Sequence, residues 1–240
     1  WEGLIKSVRA KVKGTKVKIR LGASSGEWKA MIADEAARTT FAKNIKTVLE
    51  KNKLDGIDLD FEWAENEKEY KDYSLAILKM REVLGNKYLF SVSLHPICYK
   101  ISKEAIEAVD FISLQCYGPS PVRFPIEKYC SDIQMVLEYG IPKEKLVAGV
   151  PFYGVTKDNS KKTEAYFNFV QNGLVTSPAQ NEVIYQGDTY VFDGQDNIRI
   201  KTRYAKEQKL KGMMSWDLAT DLPLSDSRSL LKTMTEELRE

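Results

Sequence analysis

The segment Asp55-Gly56-Ile57-Asp58-Leu59-Asp60-Phe61-Glu62 constrains this chain more than any other. Side chains alternate between the two faces of a β-strand, so Asp58, Asp60 and Glu62 point one way and Ile57, Leu59 and Phe61 the other. The apolar set demands a covering layer of helices. The acidic set then faces the inside of a sheet or barrel, where an unpaired ionised carboxylate is too costly to tolerate. Like charges at this spacing cannot all ionise cheaply, so a proton shared along the row is expected. Such a proton would arm a general acid at the row's open end. Glu62 is last in the run, nearest the C-terminal mouth where barrel active sites lie. Two other readings stand beside this one: an edge strand with its acids in water, and a divalent-cation site built on clustered carboxylates.

Strand-like apolar runs at 17–22, 56–62, 88–94, 111–117, 146–153 and 212–218 are nearly all followed by helical periodicity. Phe41, Ile45, Val48 and Leu49 fall on one helical face, and Tyr70, Leu75, Leu78 and Leu84 on another. Strands alternating with helices predict a parallel sheet with helices outside it, and the scarcity of polar residues in the strands fits burial on both faces. The stretch 155–211 breaks the rhythm with a helix near 165–170, a hairpin with arms 183–186 and 189–192 about Gly187-Asp188, and a helix at about 198–208. With no linker or repeat, residues 1–240 read as one domain. Six strands do not close an eight-stranded barrel. Trp1, Leu4, Ile5, Val8 and Val12 open the chain in helical register without a capping residue. The expectation is therefore an α/β fold of the (β/α)8 TIM-barrel type that starts in the helix before the third strand, two βα units lying upstream. An open sheet is the alternative.

The balance of 36 basic and 34 acidic residues, scattered rather than clustered, predicts no nucleic-acid partner. No apolar run approaches the ~20 residues that span a bilayer. Cys98, Cys116 and Cys130 lack metal-type spacing, and Cys116 reads as a small core residue. A single histidine, His95, excludes a two-histidine metal site. No cofactor and no metal are expected, and the chain reads as a monomer.

The run DGIDLDFE resembles the DGxDxDxE signature of glycoside hydrolase family 18, which includes chitinases and endo-β-N-acetylglucosaminidases. Further segments are similar to that family in the same order: Gln115-Cys116-Tyr117 to the end of its sixth strand, residues 149–154 (GVPFYG) to its seventh, and Gly212-Met213-Met214-Ser215-Trp216, with Asp217 and Asp221 following, to the GxMxWxxxxD pattern of its eighth. The resemblance implies the eight-stranded barrel, with 155–211 as a short insert between the seventh and eighth strands. It implies cleavage of a β-1,4 bond next to N-acetylglucosamine, in which the sugar's own acetamido group assists.

By motif position, the resemblance makes Glu62 the acid/base, Asp60 the support of the acetamido nitrogen and Asp58 a deeper partner that shares a proton with Asp60. Asp55 is left structural. Tyr117 would hold the acetamido group and Trp216 would floor the sugar. Gln115 and Tyr153 are further candidates for substrate contact. Trp63, Trp28 and His95 follow strand ends and are candidates for outer subsites. Non-proline cis peptide bonds are implied after Glu62 and after Trp216. Chitin-type oligomers are the first expectation for substrate, the N-glycan chitobiose core the second, and a carbohydrate-binding protein without catalysis the alternative of another class. A polymeric sugar substrate implies a secreted or periplasmic protein. Three departures stand out: Arg20-Leu21-Gly22-Ala23 replaces SxGG, Gly118 follows Tyr117 where Asp or Asn is common, and 155–211 is short for the insert that deepens the cleft in processive chitinases.

Overall fold

The computed structural model describes residues 2–24, 26–118, 124–158 and 162–240. The chain divides into two compact units, residues 1–112 and 113–240.

The first unit opens with helix α1 (Glu2–Lys11), which buries none of its residues. Trp1 lies outside the described residues. Strand β1 (Arg20–Ala23) follows, then α2 (Trp28–Ala33), α3 (Glu35–Asn52), β2 (Gly56–Leu59), α4 (Glu67–Leu84), β3 (Leu89–Leu94) and α5 (Lys103–Ala108). Strand β4 (Phe111–Leu114) runs across the boundary between the units. β1, β2 and β3 pair in parallel, Gly22 opposite Asp58 and Asp58 opposite Ser91. The first strand begins later than the apolar run suggested, because a turn at Thr15 intervenes: its Oγ1 accepts from Val17 N–H, and Val17 is left exposed.

Ile57, Leu59 and Phe61 are all buried, as the alternation required. Phe61 stacks on Trp28 with centroids 5.2 Å apart, and Tyr73 tilts against both rings. Helix α3 buries Ala42, Ile45 and Leu49 and is capped by Asp34, which accepts from Ala37 N–H. In α4 the buried face differs from the expected one. Tyr73, Ile77, Met80 and Leu84 face inward, while Leu75 is exposed. Leu84 is buried as expected, whereas Tyr70, in the first turn just past the Asn66 cap, and Leu78 are only half-buried. Gly56 is required where it stands: a Cβ there would lie 1.9 Å from the Leu89 carbonyl oxygen.

The second unit contains α6 (Ile126–Tyr139), β5 (Leu146–Pro151), β6 (Tyr153–Thr156), β7 (Thr163–Ala165), α7 (Tyr166–Gln171), β8 (Glu182–Tyr185), β9 (Asp188–Val191), α8 (Gln195–Glu207), β10 (Gly212–Trp216) and α9 (Leu230–Arg239). β5 is buried throughout and pairs in parallel with β10, Gly149 opposite Met214. The expected hairpin is present but belongs to a four-stranded antiparallel sheet ordered β7-β6-β9-β8. Its turn is Gln186-Gly187, one residue earlier than the sequence suggested, with φ of 52° and 86°. Both central residues of this tight turn must take positive φ, and Gln186 accepts that conformation beside Gly187. Phe169 of α7 packs on Tyr185, Tyr190 and Phe192 to give the small sheet its core. Among the described residues, no helix is long and apolar enough to cross a membrane.

Candidate active site

The acid row begins inside β2 and leaves it. The strand ends at Leu59, so Glu62 stands beyond it rather than within it, although the Asp60 N–H still bonds to the Ala23 carbonyl at 2.9 Å and carries the ladder one residue further. Exposure rises along the row: Asp58 and Asp60 are half-buried and Glu62 is exposed.

Asp58 is held from two strands. Ser93 Oγ donates to its Oδ2 at 2.7 Å, and Ser91 Oγ donates to its Oδ1. Arg20, in β1, donates to the same Ser91 hydroxyl and brings Nη1 to 3.7 Å from Asp58 Oδ1. Arg20 also lies over the Phe111 ring, 4.6 Å from its centroid. Burial lowers the guanidinium from its usual value and Asp58 opposes that shift, so the group stays cationic. The row therefore has hydroxyl donors and a counter-charge that the motif does not announce. Two serines at alternate positions in the otherwise apolar β3 were the available signal for the donors. Arg20 could be recognised only as a departure from a glycine-rich pattern.

Behind the row, the buried Tyr73 hydroxyl donates to the Leu59 carbonyl at 3.3 Å. Burial, then the nearby Asp58, pushes this phenol well above its ordinary value, so it acts as a proton-bearing donor only. Asp55, at the other end of the strand, accepts from Ile19 N–H at 2.8 Å and is structural, as expected.

The aromatic candidates of the first unit sort differently from the sequence reading. Trp28 is 2% exposed and is a core residue, not part of an outer subsite. Its indole N–H donates to the Glu62 carbonyl at 3.3 Å. His95 is also 2% exposed, accepts at Nδ1 from Ile97 N–H and packs against Trp63 at 5.3 Å, which makes it a support for that indole rather than a surface contact. Trp63 itself is half-buried. Both apolar burial and sugar contact favour tryptophan after a strand, so sequence alone could not separate them.

In the second unit, Tyr117 is 6% exposed and clusters with Phe124 and Val155, with Tyr153 and Met214 packed alongside. Its hydroxyl donates to Met214 Sδ at 3.8 Å, and Tyr153 meets it edge-on. Gly149 keeps this cluster closed, since a Cβ there would fall 2.6 Å from the Leu114 carbonyl oxygen and 3.0 Å from the Tyr117 ring. Gln115 is half-buried, and Trp216, at the end of β10, is 55% exposed. The Asp221 of the motif braces the start of α9 beside its Ser229 cap: its carboxylate accepts from Ser229 Oγ and from the N–H groups of Leu230 and Leu231. The peptide bonds after Glu62 and after Trp216 are both cis, as the resemblance implied. Among the described residues, no group of three or more His, Cys, Asp or Glu side chains is placed to hold a metal ion.

Parallel strands alternating with helices, with an acid row carried out past a strand end, define a β/α protein. The chain matches the model of glycosyl hydrolases family 18 over residues 3–221 and belongs to that family. It is 23% identical to "Probable chitinase 2" of Drosophila melanogaster, over 86% of this chain and 56% of that protein. The chain thus spans about half the length of the curated relatives it matches. A chitinase of Bacteroides thetaiotaomicron has a TM-score of 0.86 at 22% identity, over 97% of this chain and 80% of that one. A class V chitinase variant from Nicotiana tobaccum in complex with NAG4 has a TM-score of 0.81 at 16% identity, over 98% of this chain and 84% of that one. These likenesses place the chain in the TIM-barrel fold.

Proposed function

We propose that this chain hydrolyses the β-1,4 bond that follows an N-acetylglucosamine unit in chitin-type oligomers, with retained configuration. Glu62 gives its proton to the departing glycosidic oxygen while the substrate's 2-acetamido oxygen attacks the anomeric carbon. Water then opens the oxazolinium ring, losing its proton to Glu62. Asp60 supports the acetamido nitrogen and the positive charge that develops there. Asp58 anchors the row from below. Tyr117 as the acetamido holder and Trp216 as the sugar floor are carried from the family pattern.

The observation that carries this reading is the gradient along the row: an anchored Asp58 inside the sheet and an exposed Glu62 three residues past the strand end. Support for the substrate class comes from the chitinase names of the relative and of the structural neighbours, one of them bound to NAG4. The test is turnover of a chitotriose reporter by the wild type and by Glu62→Gln, run beside a high-mannose glycoprotein. Hydrolysis of the reporter that falls by about 10²- to 10⁴-fold in the variant is expected. Release from the glycoprotein alone would move the substrate to the N-glycan core. Binding of the oligomer with equal, negligible turnover in both proteins would make the chain a lectin.

A further inference from the structure

Resting on that reading, we infer that Arg20 is a positioning residue for the acid row: through Ser91 it locks the Asp58 carboxylate in place and supplies the row's counter-charge. The segment it occupies departs from the small-residue pattern of the family, and the side chain, 26% exposed, reaches the row. Arg20 donates to Ser91, Ser91 donates to Asp58, and the guanidinium stands 3.7 Å from the same carboxylate oxygen. The Phe111 ring under the guanidinium fixes its plane. A planar cation held on an aromatic face and tied to a hydroxyl has little freedom to leave the carboxylate.

Among the described residues, charged and titratable groups near the row come from several elements. Arg20 comes from β1, Asp58 and Asp60 from β2 and its extension, and the Tyr73 phenol from α4. Asp110, ahead of β4, is the other acid that acts on Arg20, but it is engaged elsewhere. It accepts from Phe90 N–H at 2.7 Å and from Arg81 at 2.8 Å. Ser91 and Ser93 of β3 carry no charge. Among the described residues, Arg20 is the cation paired with Asp58.

The experiment compares wild type, Arg20→Met and Arg20→Lys. In Arg20→Met, kcat on the chitotriose reporter should fall by about tenfold with KM little changed, because the row loses the group that holds Asp58 in place. Arg20→Lys should recover part of that loss, since it restores the charge without the fork. Equal kcat in all three would overturn the proposal. Crystal structures of the variants give a second readout that does not need turnover. The Asp58 carboxylate should leave Ser91 in Arg20→Met, and an unmoved Asp58 would sink the positioning role even in an inactive protein. Arg20→Gln serves if Arg20→Met does not fold. Absence of turnover in the wild type, with no effect of Glu62→Gln, would instead remove the hydrolase reading and leave the structural comparison to decide this one.

Discussion

The indole N–H of Trp28 donates to the main-chain carbonyl of Glu62 at 3.3 Å. Trp28 is itself fixed by its stack on Phe61, the neighbour of Glu62 in the chain, so the apolar side of the acid segment and the backbone of its last member are tied to one side chain. Trp28→Phe keeps the stack and removes the donor. Its kcat on a chitotriose reporter should fall by about three- to tenfold with KM little changed, in proportion to one net hydrogen bond. A rise in KM at constant kcat would mean that the bond does not serve the reacting geometry.

Removing Asp58 should cost stability whatever it does to turnover. Asp58→Ala strands two serine hydroxyls and the Arg20 guanidinium. Urea unfolding should register a loss of about 1–3 kcal/mol. Asp58→Asn, which keeps an acceptor, should lose less. Equal stability of the alanine variant and the wild type would show that the network is not holding the strands.

In the second unit, Lys201 and Asp193 form an ion pair at 2.6 Å whose side chains are 1% and 0% exposed. Lys201 also donates to the Phe124 carbonyl, which ties α8 to the cluster around Tyr117. Burial pushes the Asp193 carboxyl up, and Lys201 opposes that shift. Asp193→Ala leaves a buried cation and should destabilise by about 3–5 kcal/mol, whereas the double variant Asp193→Leu with Lys201→Met should recover much of the loss. Denaturation midpoints of the two variants decide the matter, and equal midpoints would argue against the pair as the cause.

Asp221→Ala should weaken the fold rather than the chemistry. The carboxylate closes the start of α9 with three accepted hydrogen bonds, so a loss of about 1–2 kcal/mol is expected in thermal or urea unfolding. The kcat of the folded fraction should stay near that of the wild type. A selective collapse of kcat at full stability would return Asp221 to the reaction.

Cys116 should be inert in the native protein. It is 1% exposed, and burial holds its thiol up at about 12, so it stays protonated at pH 8. Dithionitrobenzoate should label the half-exposed Cys130 first and reach Cys116 only after denaturation. Rapid native labelling of Cys116 would contradict its core placement.

Much of this architecture could be read from residue pattern alone. The alternation of Ile57, Leu59 and Phe61 with the acids predicted the buried face, and the run of apolar strands predicted parallel pairing. The misreadings share one physical origin: patterns give period but not phase or partner. The inward face of α4 was read from Tyr70 and Leu75 instead of Tyr73 and Ile77, and the turn was read as Gly187-Asp188 instead of Gln186-Gly187. Trp28 and His95 were placed toward a substrate because aromatic residues after strands serve cores and sugars alike. Arg20 and the serines of β3 were missed because a hydrogen-bond network joins residues distant in sequence, and no local spacing records it.

The residue that the sheet leans on and the residue assigned the proton transfer are different members of one row. Among the described residues, the Asp58 network that joins β1, β2 and β3 does not include the Glu62 side chain, so a descendant that exchanged Glu62 could still fold. A scaffold wired in this way can pass between enzyme and receptor without crossing an unfolded ancestor.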